Sequence, residues 1–229
     1  MIWVTFAVPF ESAAFRRRSV SRDVRILHTG VGADAARVVL EQALCEAEEL
    51  PDRVIVSGFA GALVPGLEIA EIVVGEGIQS GGRRATFAQA DEVLATAAEK
   101  RAFHVRTGAE VVDMESAAIC EVCAAAGVQA VPIRAISDGA DDDLGLPPDL
   151  LENLASRPAR AVPRLAGMLL TNAARRKAFL AFLRNCRRAQ LALADALEKE
   201  VKGFVANGDI ERASREAVGS KSTKTRLRA

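Results

Sequence analysis

Residues 111–120 (VVDMESAAIC) place two acids and a methionine, Asp113, Met114 and Glu115, where an apolar extended run gives way to an alanine-rich helical one. Unpaired backbone N–H groups and the helix dipole favour a carboxylate at such a junction. The same setting suits an ionised carboxylate that holds the hydroxyls of a ligand, although either acid could simply cap the helix. Residues 131–143 (VPIRAISDGADDD) repeat the arrangement: an apolar, strand-like run reaches Asp138 and then turns polar. Two strand-end carboxylates facing one crevice is how an open α/β sheet builds a site. A third acid, Glu11, stands just beyond a short apolar run that ends at Pro9, and it could equally be an acid favoured in the first turn of a helix. Arg134 lies on the same run as Asp138 and could balance these acids or form a structural ion pair.

The elements that must carry these residues follow from periodicity and punctuation. Residues 2–8, 24–29, 53–57, 69–76 and 128–137 are apolar runs of strand length. Helical patterns cover 33–48, 91–103 and 114–126, and helices are expected at 149–169 and 172–202 after the Pro147-Pro148 break. Gly30-Val31-Gly32 turns one strand into a helix but lacks the third glycine and the ribose-binding acid of a dinucleotide fingerprint. Gly58 and Gly61, in GFAGAL at the end of the third strand, permit close backbone approach by a ligand or a helix. The glycine-rich stretch 75–82 reads as a mobile loop. Strands alternating with helices predict a three-layer α/β domain with a largely parallel or mixed sheet.

Composition narrows the class. The 229 residues are half hydrophobic and carry 30 basic against 30 acidic side chains, so there is core enough for one sizeable domain and no net charge to attract nucleic acid or a membrane surface. The apolar start has no basic leader and reads as a first strand, and no run has the length of a membrane span. A cytoplasmic protein is expected. Cys120 and Cys123 form one C-x-x-C inside a helical pattern, without a second pair or a nearby histidine, which reads as core thiols rather than a metal site. We expect residues 1–170 to form the catalytic domain, 171–202 a helical extension of it, and 203–229 a basic flexible tail, with nucleic-acid binding the lesser option for that tail.

Four pieces in this order resemble the nucleoside phosphorylase and nucleosidase superfamily: AVPFES around Glu11, GVG at 30–32, GFAGAL at 58–63 leading to IAEIVVGE, and VDMESAAI followed by IRAISDGAD. The last two are specific as a pair. The stretch EKRAF…TGAEVVDMES is similar to the hopanoid-associated phosphorylase branch, and the whole also looks like methylthioadenosine/S-adenosylhomocysteine nucleosidase. The resemblance implies a purine nucleoside phosphorylase-like αβα fold with a mixed twisted central sheet, and cleavage of a purine N-glycosidic bond. It implies that Glu115 binds the ribose hydroxyls, Met114 lines the ribose, Asp138 donates to purine N7 from a carboxyl raised by desolvation, and Glu11 activates water. Asp113, Gly58 and Phe59 join the substrate-binding set. It implies no cofactor, a purine or 5′-substituted nucleoside as ligand, and a homo-oligomer, a dimer first of all.

Two departures bear on the reaction. The phosphate-binding arginine loop that phosphorylases carry after the first strand is here PFES, and Val56 and Phe59 stand where further phosphate ligands would be. Phosphate is hard to hold without convergent Arg or Ser donors, so hydrolysis is expected over phosphorolysis unless Arg16, Arg17 and Arg18, or Arg83 and Arg84, substitute. In that alternative phosphate is the co-substrate. A non-catalytic nucleoside-binding relative is the third reading. The chain between Glu76 and Val111 is also short and lacks the usual base-stacking segment, leaving Phe59, Phe87 or Phe103 to stack on the base.

Overall fold

The computed structural model describes residues 1–18, 23–75, 81–156 and 158–226. Among these, β1 (Ile2–Phe6), β2 (Val24–His28), β3 (Arg53–Ala62), β4 (Ile72–Val74), β5 (Arg83–Arg84), β6 (Phe87–Gln89), β7 (Val111–Asp113) and β8 (Gln129–Asp138) join in one sheet. Its main path is β2-β1-β3-β8-β4-β5, with β7 pairing both β3 and β6. The β2-β1-β3-β8 part is parallel, whereas β4 on β8 and β7 on β3 are antiparallel. The sheet is therefore mixed.

Helices cover both faces: α1 (Pro9–Arg16), α2 (Ala33–Cys45), α3 (Ala97–Thr107), α4 (Ser116–Ala125), α5 (Pro148–Ser156), α6 (Pro158–Thr171) and α7 (Ala173–Arg226). The alternation of a strand decides which side chain joins which layer. In β1, Ile2, Val4 and Phe6 pack with Phe15 of α1 and with Leu193 and Leu197 of α7, while Trp3 turns to Leu40 of α2 and Ile119 of α4. Burying a side chain of that size stabilises the fold by about 1.5–3 kcal/mol, so the two cores fix the three layers.

Several expected boundaries shift. The third strand, expected at 53–57, runs on through GFAGA to Ala62, paired with β8 and with a bulge between Ala60 and Gly61 that sets Gly61 opposite Asp138. The helix expected at 91–103 begins only at Ala97, because Thr96 accepts the N–H of Glu99 while the Glu99 side chain accepts that of Thr96. Gly108, at φ 69°, closes it. The single helix expected at 149–169 is two, α5 and α6. Most of the proposed loop at 75–82 lies outside the described residues. Helix α7 packs Ala189, Leu193, Ala194 and Leu197 onto its own sheet and stays helical past Gly203 to Arg226, where the sequence suggests a tail. No described helix is long and apolar enough to cross a membrane.

Candidate active site

The site is built around one buried guanidinium. Arg134 sits inside β8 at 1 % exposure, a place for a charge only if partners meet it. Its Nε lies 2.9 Å from Asp113 Oδ2, and its Nη2 lies 3.6 Å from Glu115 Oε2. Nε and Nη2 also donate to Ser116 Oγ at 3.2 and 3.0 Å, and Nη1 donates to the Ser57 carbonyl at 3.3 Å. Gly58 shows how Glu11 joins this cluster. At its φ of +152°, a Cβ would stand 2.2 Å from Arg134 Nη1 and 3.0 Å from Glu11 Oε1. The glycine is required because two functional side chains occupy the space of its own.

Each acid is delivered by a different turn. Pro9 starts α1 at a position where its missing N–H is no loss, and Glu11 in the first turn reaches back to accept the N–H groups of Ala7 and Val8 at 2.9 and 3.3 Å. Its other oxygen accepts the Phe59 N–H of β3 at 3.0 Å. Asp113 ends β7 and caps α4: its Oδ1 accepts the N–H of Glu115 and of Ser116 at 3.2 and 3.0 Å, and its Oδ2 accepts Ser116 Oγ. That frees Glu115 from its own helix. Its Oε1 accepts the Gly32 N–H at 2.9 Å, so the glycine turn after β2 binds a protein carboxylate and not a phosphate.

A carboxylate accepts about four hydrogen bonds, and counting them separates the acids. Asp113 holds Glu115 N, Ser116 N, Ser116 Oγ and Arg134 Nε, and is saturated. Glu11 holds three N–H bonds and has room for one more. Glu115 holds one N–H bond and a guanidinium contact, leaving room for a pair of hydroxyls. Burial raises the Glu11 carboxyl, opposed by Arg134 and by the three N–H bonds. Burial pushes Glu115 up to about 7, opposed by Arg134, with Glu11 and Asp113 adding to the rise.

Asp138 ends β8, with one carboxylate oxygen over Gly61. Its Oδ1 accepts Ser137 Oγ at 2.6 Å, and its Oδ2 meets Lys100 Nζ at 2.5 Å. Lys100 comes from α3 and is fully buried. The desolvated carboxyl expected from the sequence is therefore one half of an ion pair. Cys186 of α7 is buried beside this corner; burial raises its thiol, and the charges of Asp138 and Glu11 raise it further. Helix α7 thus packs against β8 and β3 beside the site.

The remaining expected residues separate. Met114 is half-buried between the two acids. The Phe59 ring is partly buried against the α1/α7 core and meets Phe10 edge-on, with centroids 6.1 Å apart. Phe103 is buried with Leu63 and Val112, which takes it out of reach of a base, and Phe87 packs beside Val111. Among the arginines considered for phosphate, Arg18 pairs with Asp195 and Glu198 of α7, and Arg83 donates to the Gly66 carbonyl at 2.8 Å, near Glu71 and Glu110. Cys123 is a free thiol in the α2/α4 core, and no group of three metal-ligating side chains occurs among the described residues. Sequence reasoning missed Lys100 and understated Arg134. Lys100 stands three residues before the buried Phe103, and that helical spacing was the available signal.

Comparison with known proteins bears on the fold and the family. Curated protein sequences gave no match. Among solved structures, futalosine hydrolase of Helicobacter pylori strain 26695 superposes with a TM-score of 0.60 at 16 % identity, covering 88 % of this chain and 97 % of its own. The 5′-methylthioadenosine/S-adenosyl homocysteine nucleosidase of the same species gives 0.60 at 15 % identity, with coverage of 88 % and 97 %. The Arabidopsis thaliana 5′-methylthioadenosine nucleosidase gives 0.60 at 15 %, with 89 % and 95 %. These likenesses are of fold. The sequence model described as "Phosphorylase superfamily" matches residues 5–95 and 83–173, most of the folded body, and the chain belongs to that superfamily.

Proposed function

We propose that this protein cleaves the N-glycosidic bond of a purine nucleoside with water as the nucleophile. The observation that carries the reading is the single guanidinium, Arg134, with Glu11, Asp113 and Glu115 disposed around it and their acceptor capacity graded by the bonds they already make. Breaking the bond leaves positive charge on the sugar and negative charge on the base. Ionised Glu115 accepts the two ribose hydroxyls and favours the positive ring. Glu11, with one acceptor position free and a raised carboxyl, takes the proton of the attacking water; a base tuned towards neutrality serves this step best. Asp138 faces the departing base. Asp113 and Ser116 hold Arg134 and Glu115 in place, and Met114 borders the ribose.

Hydrolysis is favoured over phosphorolysis because Arg134 is surrounded by carboxylates, and Arg18 and Arg83 are tied elsewhere. The three solved structures compared above are a hydrolase and two nucleosidases, in keeping with this choice. The test is release of free base from adenosine, inosine, methylthioadenosine and a 5′-alkyl analogue, each with and without phosphate. Release in phosphate-free buffer with free ribose or its 5′-substituted analogue as co-product is the expected result. Strict phosphate dependence with a sugar 1-phosphate product would replace it with the phosphorylase reading. Binding without release from any of them would make this a nucleoside-binding relative.

A further inference from the structure

We propose that Lys100 supplies, through Asp138, the proton that the departing base takes up. The inference rests on the reaction proposed above and adds a residue to it. Lys100 Nζ is fully buried and faces three oxygens: Asp138 Oδ2 at 2.5 Å, the Gly139 carbonyl at 2.7 Å and the Asp142 carbonyl at 3.2 Å. An ammonium has three hydrogens. All three are taken, so Lys100 does not touch a substrate and acts only through Asp138.

The arrangement resolves a difficulty in the chemistry. A carboxylate paired with an ammonium has no proton of its own for purine N7. Asp138 keeps acceptor room beyond Ser137 and Lys100, enough to face the base. As the C1′–N9 bond breaks, its electron pair passes into the purine. Lys100 passes a proton to Asp138 Oδ2 and that proton goes on to N7, leaving Lys100 a neutral amine still held by the two carbonyls. Water oxygen bonds to C1′ and gives its proton to Glu11. Return of one proton from Glu11, through solvent and then Asp138, to Lys100 restores both groups, so the cycle needs no other reactant.

The test uses the full chain with Lys100→Arg and Lys100→Met, measured on adenosine or inosine and on 4-nitrophenyl riboside, whose leaving group departs without a proton. Arginine keeps the positive charge against Asp138 but is never deprotonated in a protein, so it preserves the ion pair and breaks the relay. Expected is a fall in kcat of roughly 10²-fold or more for the purine nucleoside in both variants, in line with general acid catalysis. The loss for the nitrophenyl riboside is expected to be at least tenfold smaller, with KM little moved. Equal losses on the two substrates would mean that Lys100 only holds α3 to the β8–α5 loop, and the proposal would fall. Full purine turnover in Lys100→Arg would overturn it as well. If the wild-type chain releases neither purine nor nitrophenol, the proposed function itself fails, and this inference with it.

Discussion

Replacing Glu115 by Gln separates the demands of folding from those of catalysis, because the two oppose one another at this residue. Burial lifts the Glu115 carboxyl from 4.5 to about 7. Each tenfold change in proton affinity is worth about 1.4 kcal/mol, so ionising this group in the fold costs about 3 kcal/mol more than ionising it in the unfolded chain. The sign follows from proton counts. Between 4.5 and about 7 the folded state holds the proton that the unfolded state has released, so stability falls as pH rises. The extra stability is fully present below 4.5 and gone once the pH has passed about 7. Urea unfolding at a series of pH values from 4.5 to 8 should show wild type losing about 3 kcal/mol more than Glu115→Gln across that window, since Gln does not titrate and changes in the other acids are largely common to both. Activity should run the other way: kcat/KM for a nucleoside rises with pH towards about 7, as the carboxylate that accepts the ribose hydroxyls forms. Parallel stability curves for the two proteins would refute the reasoning.

Two further substitutions probe the same construction. Gly58→Ala should destabilise by about 1–3 kcal/mol, as overpacking does, because its Cβ would stand 2.2 Å from Arg134 Nη1 at a positive φ; base release should fall at least tenfold with it, and a fully active, fully stable variant would show that Arg134 is free to move. Asp138→Asn is nearly isosteric yet leaves the buried Lys100 ammonium without its counter-charge, so a loss of about 3–5 kcal/mol is expected in thermal or urea unfolding, together with a roughly 10²–10⁴-fold fall in turnover. Unchanged stability would deny the ion pair, and unchanged turnover would remove Asp138 from the reaction.

The sequence by itself determined the layers and the addresses of the acids. Strand alternation in IWVTF divides Ile2, Val4 and Phe6 from Trp3, and this division already requires helices on both faces of a sheet. Glu11, Glu115 and Asp138 each stand at a junction of apolar run and turn, and such junctions are visible because hydrophobic period and turn chemistry are local properties. The short pieces β5 and β6 were not legible, since two or three residues carry no period and pair only because β4 and β7 lie beside them. The division of labour among the acids was not legible either. Asp113 and Glu115 are equivalent as residue types, and it took the fold to saturate one with Ser116 and Arg134 and to turn the other towards Gly32. Lys100 is the extreme case. In sequence it is one lysine on a charged helix, and only the fold takes it out of water, where an ammonium must find oxygen partners and finds Asp138 at the end of β8 with the carbonyls of Gly139 and Asp142.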